Sequence, residues 1–301
     1  MSRPLLALVN PAAGGGCCGK LAGPELERLR GAGVDLEVRQ TRERGEATEV
    51  TRAAWREGYR RFLAVGGDGT SYEIVNGLFP EAAAGDEKPT LAFLPLGTGN
   101  SFLRDFTDRG VEYARESLLA GRERTCDVLR LTHAKGTLCY INLLSMGFAA
   151  DVAALVNRKL KGLGELGYLL GVLTCLARLD RRAFPLRVDG LGELDRRRCL
   201  FLSFNNSKFT GGKMMIAPQA ATDDGLIEYV RWGPIGRLGL MRNLHTLYDG
   251  THMRHPLAER TAARRIEFQL EGPVDVMVDG ESLTLECQAL DVLPAALRVM
   301  A

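Results

Sequence analysis

The sequence predicts an α/β unit followed by a β-rich unit. Strand-like and helix-like runs alternate over about the first 128 residues. Glycine-rich turns recur where those strands end. After that, strand-like runs dominate and are interrupted by a few long helical stretches.

Residues 5–9 are a short apolar run, read as a buried strand. Residues 20–30 place Leu21, Leu26 and Leu29 at helical spacing, and residues 34–38 alternate apolar and charged as a half-buried strand does. Residues 46–59 are helical, 62–65 a strand, 71–78 a helix and 91–94 a strand. This rhythm predicts a mostly parallel sheet with helices on both faces, which binds ligands beyond the carboxyl ends of its strands. From about Asp127 the strand-like runs are 128–132, 138–144, 186–188, 199–204, 226–232, 266–270 and 274–278. Helical stretches at 151–160, 166–179 and 235–247 divide them, which predicts a mainly antiparallel second domain with inserted helices.

Composition narrows the function. With 39 basic and 37 acidic residues the net charge is +2, so the chain lacks the global basic field of many nucleic-acid binders. Hydrophobic residues at 46% exclude a disordered chain. The seven cysteines include the adjacent Cys17 and Cys18 and form no C-x-x-C pair, which argues against a disulfide framework or a zinc site and for a reducing cytosol. The longest apolar stretch, 163–179, is broken by Glu165, several glycines and Arg178, so any membrane contact is expected from the surface.

Glycine is in excess, at 35 of 301 residues, and three glycine turns fall at predicted strand ends. Gly66-Gly67-Asp68-Gly69-Thr70 lies between a strand and a helix, where backbone N–H groups can approach a phosphate. An aspartate there suits contact with a hydroxyl or a metal, or else a plain helix cap. Leu96-Gly97-Thr98-Gly99-Asn100 is a second such turn. In the third, Gly14, Gly16 and Gly19 satisfy G-x-G-x-x-G, but Asn10-Pro11 separates them from the strand. Gly14, Gly19 and Lys20 approach a P-loop, but Leu21 stands where Ser or Thr would bind Mg²⁺. His245, His252 and His255 lack metal-ligand spacing and read as a surface loop.

Together these strings resemble the catalytic domain shared by diacylglycerol, sphingosine and ceramide kinases, in a superfamily that includes the NAD kinases. The matching residues are Asn10-Pro11 with Gly14–Gly16, the 66–70 turn with Glu73 and Val75-Asn76-Gly77-Leu78, and residues 95–100. Further matches are Gly147-Phe148-Ala149-Ala150-Asp151-Val152, Ala217-Pro218 with Asp224-Gly225-Leu226, and Asp279-Gly280-Glu281. The resemblance implies a Rossmann-like α/β nucleotide-binding domain, residues 1–128 completed by 295–301. It implies a β-sandwich-like lipid-substrate domain over 129–294, with the active site between the two.

It also implies ATP and Mg²⁺ as cofactors and a lipid alcohol as acceptor, with a soluble metabolite such as NAD as the alternative. On the family pattern Asn10, Gly14, Gly16, Thr41, Gly67, Gly69, Thr70, Glu73, Gly97, Thr98 and Asn100 hold the nucleotide. Asp68, Asp279 and Glu281 are catalytic, the general base being either Asp68 or the late carboxylates, and Glu281 is a ligand of the catalytic Mg²⁺. Asp224 with the carbonyls of Ala221 and Leu226 is the counterpart of a structural Mg²⁺ site in bacterial relatives. Phe148, Asp151, Leu166 and Leu170 fall where sphingosine kinases bind lipid. Ala153 stands where those enzymes carry a second Asp for the sphingoid head, which favours a neutral lipid alcohol. A lipid substrate further implies docking at the cytoplasmic face of a membrane, with no nucleic-acid partner. A homodimer stays open.

Overall fold

The protein is described by a computed structural model over residues 3–156 and 164–301, with residues 164–169 described by their backbone alone. Strands β1 (Leu5–Val9), β2 (Leu36–Gln40), β3 (Arg61–Gly66) and β4 (Thr90–Pro95) pair in parallel in the order β2-β1-β3-β4. Successive side chains of a strand point to opposite faces, and here both faces are covered. Leu6, Leu8, Phe62 and Phe93 pack on α2 (Glu46–Arg56) and α3 (Asp68–Leu78). Leu5, Ala7, Leu63 and Leu94 pack on α1 (Cys17–Gly31) and α4 (Val111–Leu119). Each leucine or phenylalanine buried this way contributes about 1.5–3 kcal/mol, which is why these strands read as unbroken apolar runs.

The rest of the chain builds on two long antiparallel strands, β5 (Glu123–His133) and the final strand Cys287–Met300. Arg298–Met300 pair in parallel with Thr90–Ala92 of β4, so the chain end joins the first sheet. The same strand pairs with Arg265–Phe268 further back, and the sheet continues through Leu186–Val188 to Leu191–Asp195. A six-stranded sheet faces this extension. Its middle strands are Ile227–Trp232, Phe201–Asn205, β7 (Leu143–Gly147) and Val274–Val278, with Ala258–Ala263 and Glu281–Leu285 at the edges. Leu131, Tyr140, Leu144, Phe204, Val276 and Leu290 fill the core between the layers.

Three expectations are corrected. Residues 138–144 form two strands, β6 (Gly136–Tyr140) and β7, because the chain turns at Ile141-Asn142 and changes sheets. Residues 235–247 form α7 (Arg237–Asn243), with a further turn of helix α8 at Thr246–Asp249. The imidazole of His252 is buried, its two nitrogens facing the carbonyls of Thr246 and Ile216, so it belongs to the core rather than to a surface loop. Between them lie α5 (Phe148–Leu155) and α6 (Gly164–Arg178), which pack on one side of the six-stranded sheet. No helix of the described residues is long and apolar enough to cross a membrane.

Candidate active site

The carboxyl ends of β1, β3 and β4 open into the three glycine turns, and the turns touch. A Cβ on Gly97 would lie 2.4 Å from the Cα and 2.7 Å from the amide nitrogen of Gly67. One on Gly14 would lie 2.8 Å from the Leu96 carbonyl oxygen, and φ is positive through Gly14, Gly15 and Gly16. Side chains at these contacts would force the turns apart. Their absence gathers backbone from three loops into one cradle, with the N-terminus of α3 beside it.

Asp68 turns its carboxylate inward. Both oxygens accept the amide of Ser101, at 2.8 and 2.9 Å, and burial raises its pKa against the pull of Ser101. Ser101 also accepts the Gly212 amide at its Oγ, 3.0 Å away, so the turn is tied to the second domain.

Asp279 enters from the opposite side. Asp279-Gly280 is the two-residue turn joining Val274–Val278 to Glu281–Leu285, and both residues have positive φ, as a type I′ hairpin requires. The Asp279 carboxylate accepts the amides of Ile141, Asn142 and Leu143 at 2.9–3.1 Å. That contact is what turns β6 into β7. Burial, with the charge of Asp68 added, raises Asp279 to about 7.

Glu281, two residues on, overhangs the first cradle, and a Cβ on Gly69 would lie 2.9 Å from its Oε1. It also pairs with Arg44 from the loop after β2. Sequence reasoning missed Arg44 and Ser101, because their partners lie 237 and 33 residues away.

The other expected site residues sort by what their side chains touch. Thr98 is exposed at the tip of its turn. Asn10 and Thr41 border the cradle, with the Asn10 Oδ1 accepting the Ala12 amide and the Thr41 hydroxyl bonded to the Val9 carbonyl. Three residues are held against the backbone around the turns. The Thr70 hydroxyl is buried beneath Gly66 without a hydrogen-bond partner among the described residues. The Glu73 carboxylate accepts the amides of Gly45 and Ala47 at the start of α2. Asn100, in left-handed conformation, donates to the Gly97 carbonyl and closes its own turn. Asn100 also stays beside the cradle, its Oδ1 3.8 Å from where a Cβ on Gly67 would lie.

Asp151 on α5 is paired with Arg182, and burial raises its pKa against that pairing. Phe148 begins α5 and is half-buried, and Leu170 is exposed on α6. The side chain of Leu166 lies outside the described residues. Ala221, Asp224 and Leu226 share one turn, in which Asp224 Oδ1 accepts the Leu226 amide.

Over both units the chain is similar to known lipid kinases. Residues 4–131 match the diacylglycerol kinase catalytic domain, and residues 142–301 match the YegS C-terminal NAD kinase beta sandwich-like domain. A Mycobacterium tuberculosis protein named "Diacylglycerol kinase" is 28% identical over 98% of this chain and 94% of its own. A Pseudomonas aeruginosa protein named "Probable lipid kinase YegS-like" is 33% identical over 93% of this chain and 91% of its own. A crystal structure described as a diacylglycerol kinase from Bacillus anthracis superposes with a TM-score of 0.71 at 21% identity, covering 99% of this chain and 96% of that one, and shares the fold. The chain belongs to the diacylglycerol kinase family of lipid kinases with a YegS-type C-terminal domain.

Proposed function

We propose that the protein transfers the γ-phosphoryl group of ATP, with Mg²⁺, to the hydroxyl of a neutral lipid alcohol of the diacylglycerol or ceramide class. The observation that carries this reading is the meeting, in one cleft, of the three-turn backbone cradle with Asp68, Asp279 and Glu281. The cradle formed by Gly14–Gly16, Gly67, Gly69, Gly97 and Thr98, bordered by Asn10 and Thr41, suits a polyphosphate. Among the described residues, no three His, Cys, Asp or Glu side chains are gathered to hold a metal by themselves. That fits Mg²⁺, which is commonly held by one or two carboxylates together with substrate phosphates. Glu281 is the carboxylate in position, and Mg²⁺ bound there would neutralise phosphate charge. A structural Mg²⁺ on Asp224 with the carbonyls of Ala221 and Leu226 belongs to the same proposal, and Asp127, Asp223 and Glu228 add negative charge at that turn.

In the reaction the acceptor hydroxyl gives its proton to Asp68, while Asp279 stays bound to its three backbone amides. The acceptor oxygen forms its bond to the γ-phosphorus while the bond from that phosphorus to the β–γ bridging oxygen breaks, and ADP leaves. Burial, which raises the pKa of the Asp68 carboxyl, suits it to accept a proton. Phe148 on α5 and Leu170 on α6 supply apolar surface for the acyl chains. Asp151 already has Arg182 as its counter-charge, which supports a neutral head group over a sphingoid amine. ATP use places the reaction at the cytoplasmic face of a membrane. The division at residue 128, with 295–301 returned to the first unit, goes with this reading and is supported by the pairing of Arg298–Met300 with β4.

The test is transfer of labelled phosphate from ATP to diacylglycerol, ceramide, sphingosine and NAD. One neutral lipid is expected to be labelled, and Asp68→Asn and Glu281→Gln should each lose about 10²–10⁴-fold in kcat. Labelling of NAD alone, or near-normal kcat in both variants, would overturn the proposal.

A further inference from the structure

Helix α7 is apolar on two opposite sides. Leu240, Leu244 and Leu247 of its inner side pack on Phe201 and Trp232 of the six-stranded sheet. On its outer side Leu238, Met241 and Tyr248 are 72%, 57% and 58% exposed. Leu244 and His245 keep helical backbone angles, so Tyr248 of α8 follows on the same side, with the exposed His245 between it and Met241. An ordinary surface helix shows charged or polar residues there. The stripe does not stand alone. Arg237 at the start of α7 donates to the Leu176 and Ala177 carbonyls that end α6, and one turn back on α6 Leu173 is 52% exposed.

The charge around this patch is one-sided. Residues 170–182 and 234–257 hold six arginines against two aspartates, a net +4. The whole chain carries +2, so the remainder carries −2. Asp180 shares Arg182 with Asp151, so Arg182 adds no free charge, and Asp249 is bonded to Thr251. Arg178, Arg242 and Arg254 are exposed and have no carboxylate partner among the described residues. A second copy of the chain seated here by two-fold symmetry would set these arginines against themselves, at a cost. An anionic bilayer offers an apolar interior for the stripe and phosphates for the arginines.

We infer that the outer face of α7 and α8, with the adjoining end of α6, is the surface by which this protein docks on anionic membranes. The face is continuous with the site. α6 packs on α5, and α5 packs on the hairpin that carries Asp279 and Glu281. The inference rests on the proposed lipid reading only for its purpose, not for its evidence.

The full chain would be sedimented with vesicles of phosphatidylcholine alone and of phosphatidylcholine with phosphatidylglycerol, without ATP or acceptor. Binding to the anionic vesicles only, weakened by salt, is expected. Arg242→Glu with Arg254→Glu should weaken it by about 30-fold or more, at about fivefold for each positive charge lost near the surface. Leu238→Ser with Met241→Ser should abolish it, with the melting temperature and the activity on detergent-dispersed lipid unchanged. Wild-type binding by both double variants would overturn the inference. So would a dimer, seen by light scattering, that Leu238→Ser with Met241→Ser converts to monomer. Failure of the kinase reading would appear instead as no phosphate transfer to detergent-dispersed lipid, whatever the vesicles show.

Discussion

Gly97→Ala tests whether the spacing of the glycine turns governs the chemistry. The new methyl would sit 2.4 Å from the Gly67 Cα, whereas carbon atoms in contact stand about 3.5–4.0 Å apart. Both neighbours are backbone, so no rotamer change relieves the clash, and the turns must separate by about 1 Å. Asp68 follows Gly67 directly and must move with it. A displacement of that size at a reacting group costs on the order of 10²-fold in rate. Overpacking of this kind also costs about 1–3 kcal/mol of stability. Gly77→Ala separates the two effects. Its methyl would meet the Thr51 side chain and the Thr48 carbonyl at 2.5 and 2.6 Å, an equal clash, but about 13 Å along α3 from Asp68. Thermal melting should fall by several degrees in both variants, while kcat at saturating ATP and Mg²⁺ falls about 10²-fold only in Gly97→Ala. Equal losses of kcat, or a wild-type kcat in Gly97→Ala, would refute the argument that turn spacing positions the reacting groups.

Thr70→Val removes a buried hydroxyl that has no partner among the described residues, so stability should hold or rise slightly and the KM for ATP should stay within about twofold. A large rise in KM would return Thr70 to the nucleotide. Asp127 accepts the amides of Gly225 and Ala295, both at 2.6 Å, and Asp127→Ala would orphan the two donors, costing about 2–4 kcal/mol in urea unfolding. A loss below about 0.5 kcal/mol would show that the strand kink at Ala295 holds without it. Asp279, raised to about 7, binds its proton more tightly in the folded chain than in the unfolded one. Its contribution to stability is therefore greatest below its unfolded value of about 4 and falls as pH rises from there to about 7. Melting temperature followed against pH should decline less over that window in Asp279→Asn than in wild type, and parallel curves would refute the shift.

The parallel sheet was legible in the sequence because strands buried on both faces leave unbroken apolar runs, as in β1 and β3. The final strand was not. Asp291 and Pro294 interrupt its pattern, and what makes it a strand is pairing with residues as remote as Thr90 and Leu131. The break between β6 and β7 was hidden for a similar reason, since the group that turns the chain there is Asp279. Within the site, the glycines announced themselves because turns at strand ends need them. The role of a polar side chain was legible only by type. Glu73 and Asn100 belong to the right strings, yet their side chains bond to nearby backbone, whereas Arg44 lies in no glycine turn and reaches the cleft across the fold.

The two parts of the molecule share secondary structure rather than a linker. β5 and the final strand pair from Glu123–Met300 at one end to His133–Cys287 at the other, and so run through both. Asp127 holds the irregular point of that ladder, and Asp279 holds the bend that feeds the second sheet. Each does so with a buried carboxylate on backbone amides, which tolerates little angular freedom. The width of the cleft is thus set by sheet register and by hydrogen bonds from single aspartates. What remains adjustable is at its rim, where the exposed Arg44 meets Glu281 over the cradle. An exposed ion pair of this kind is worth little to stability, so it can exchange its partner when phosphate arrives without disturbing the frame beneath.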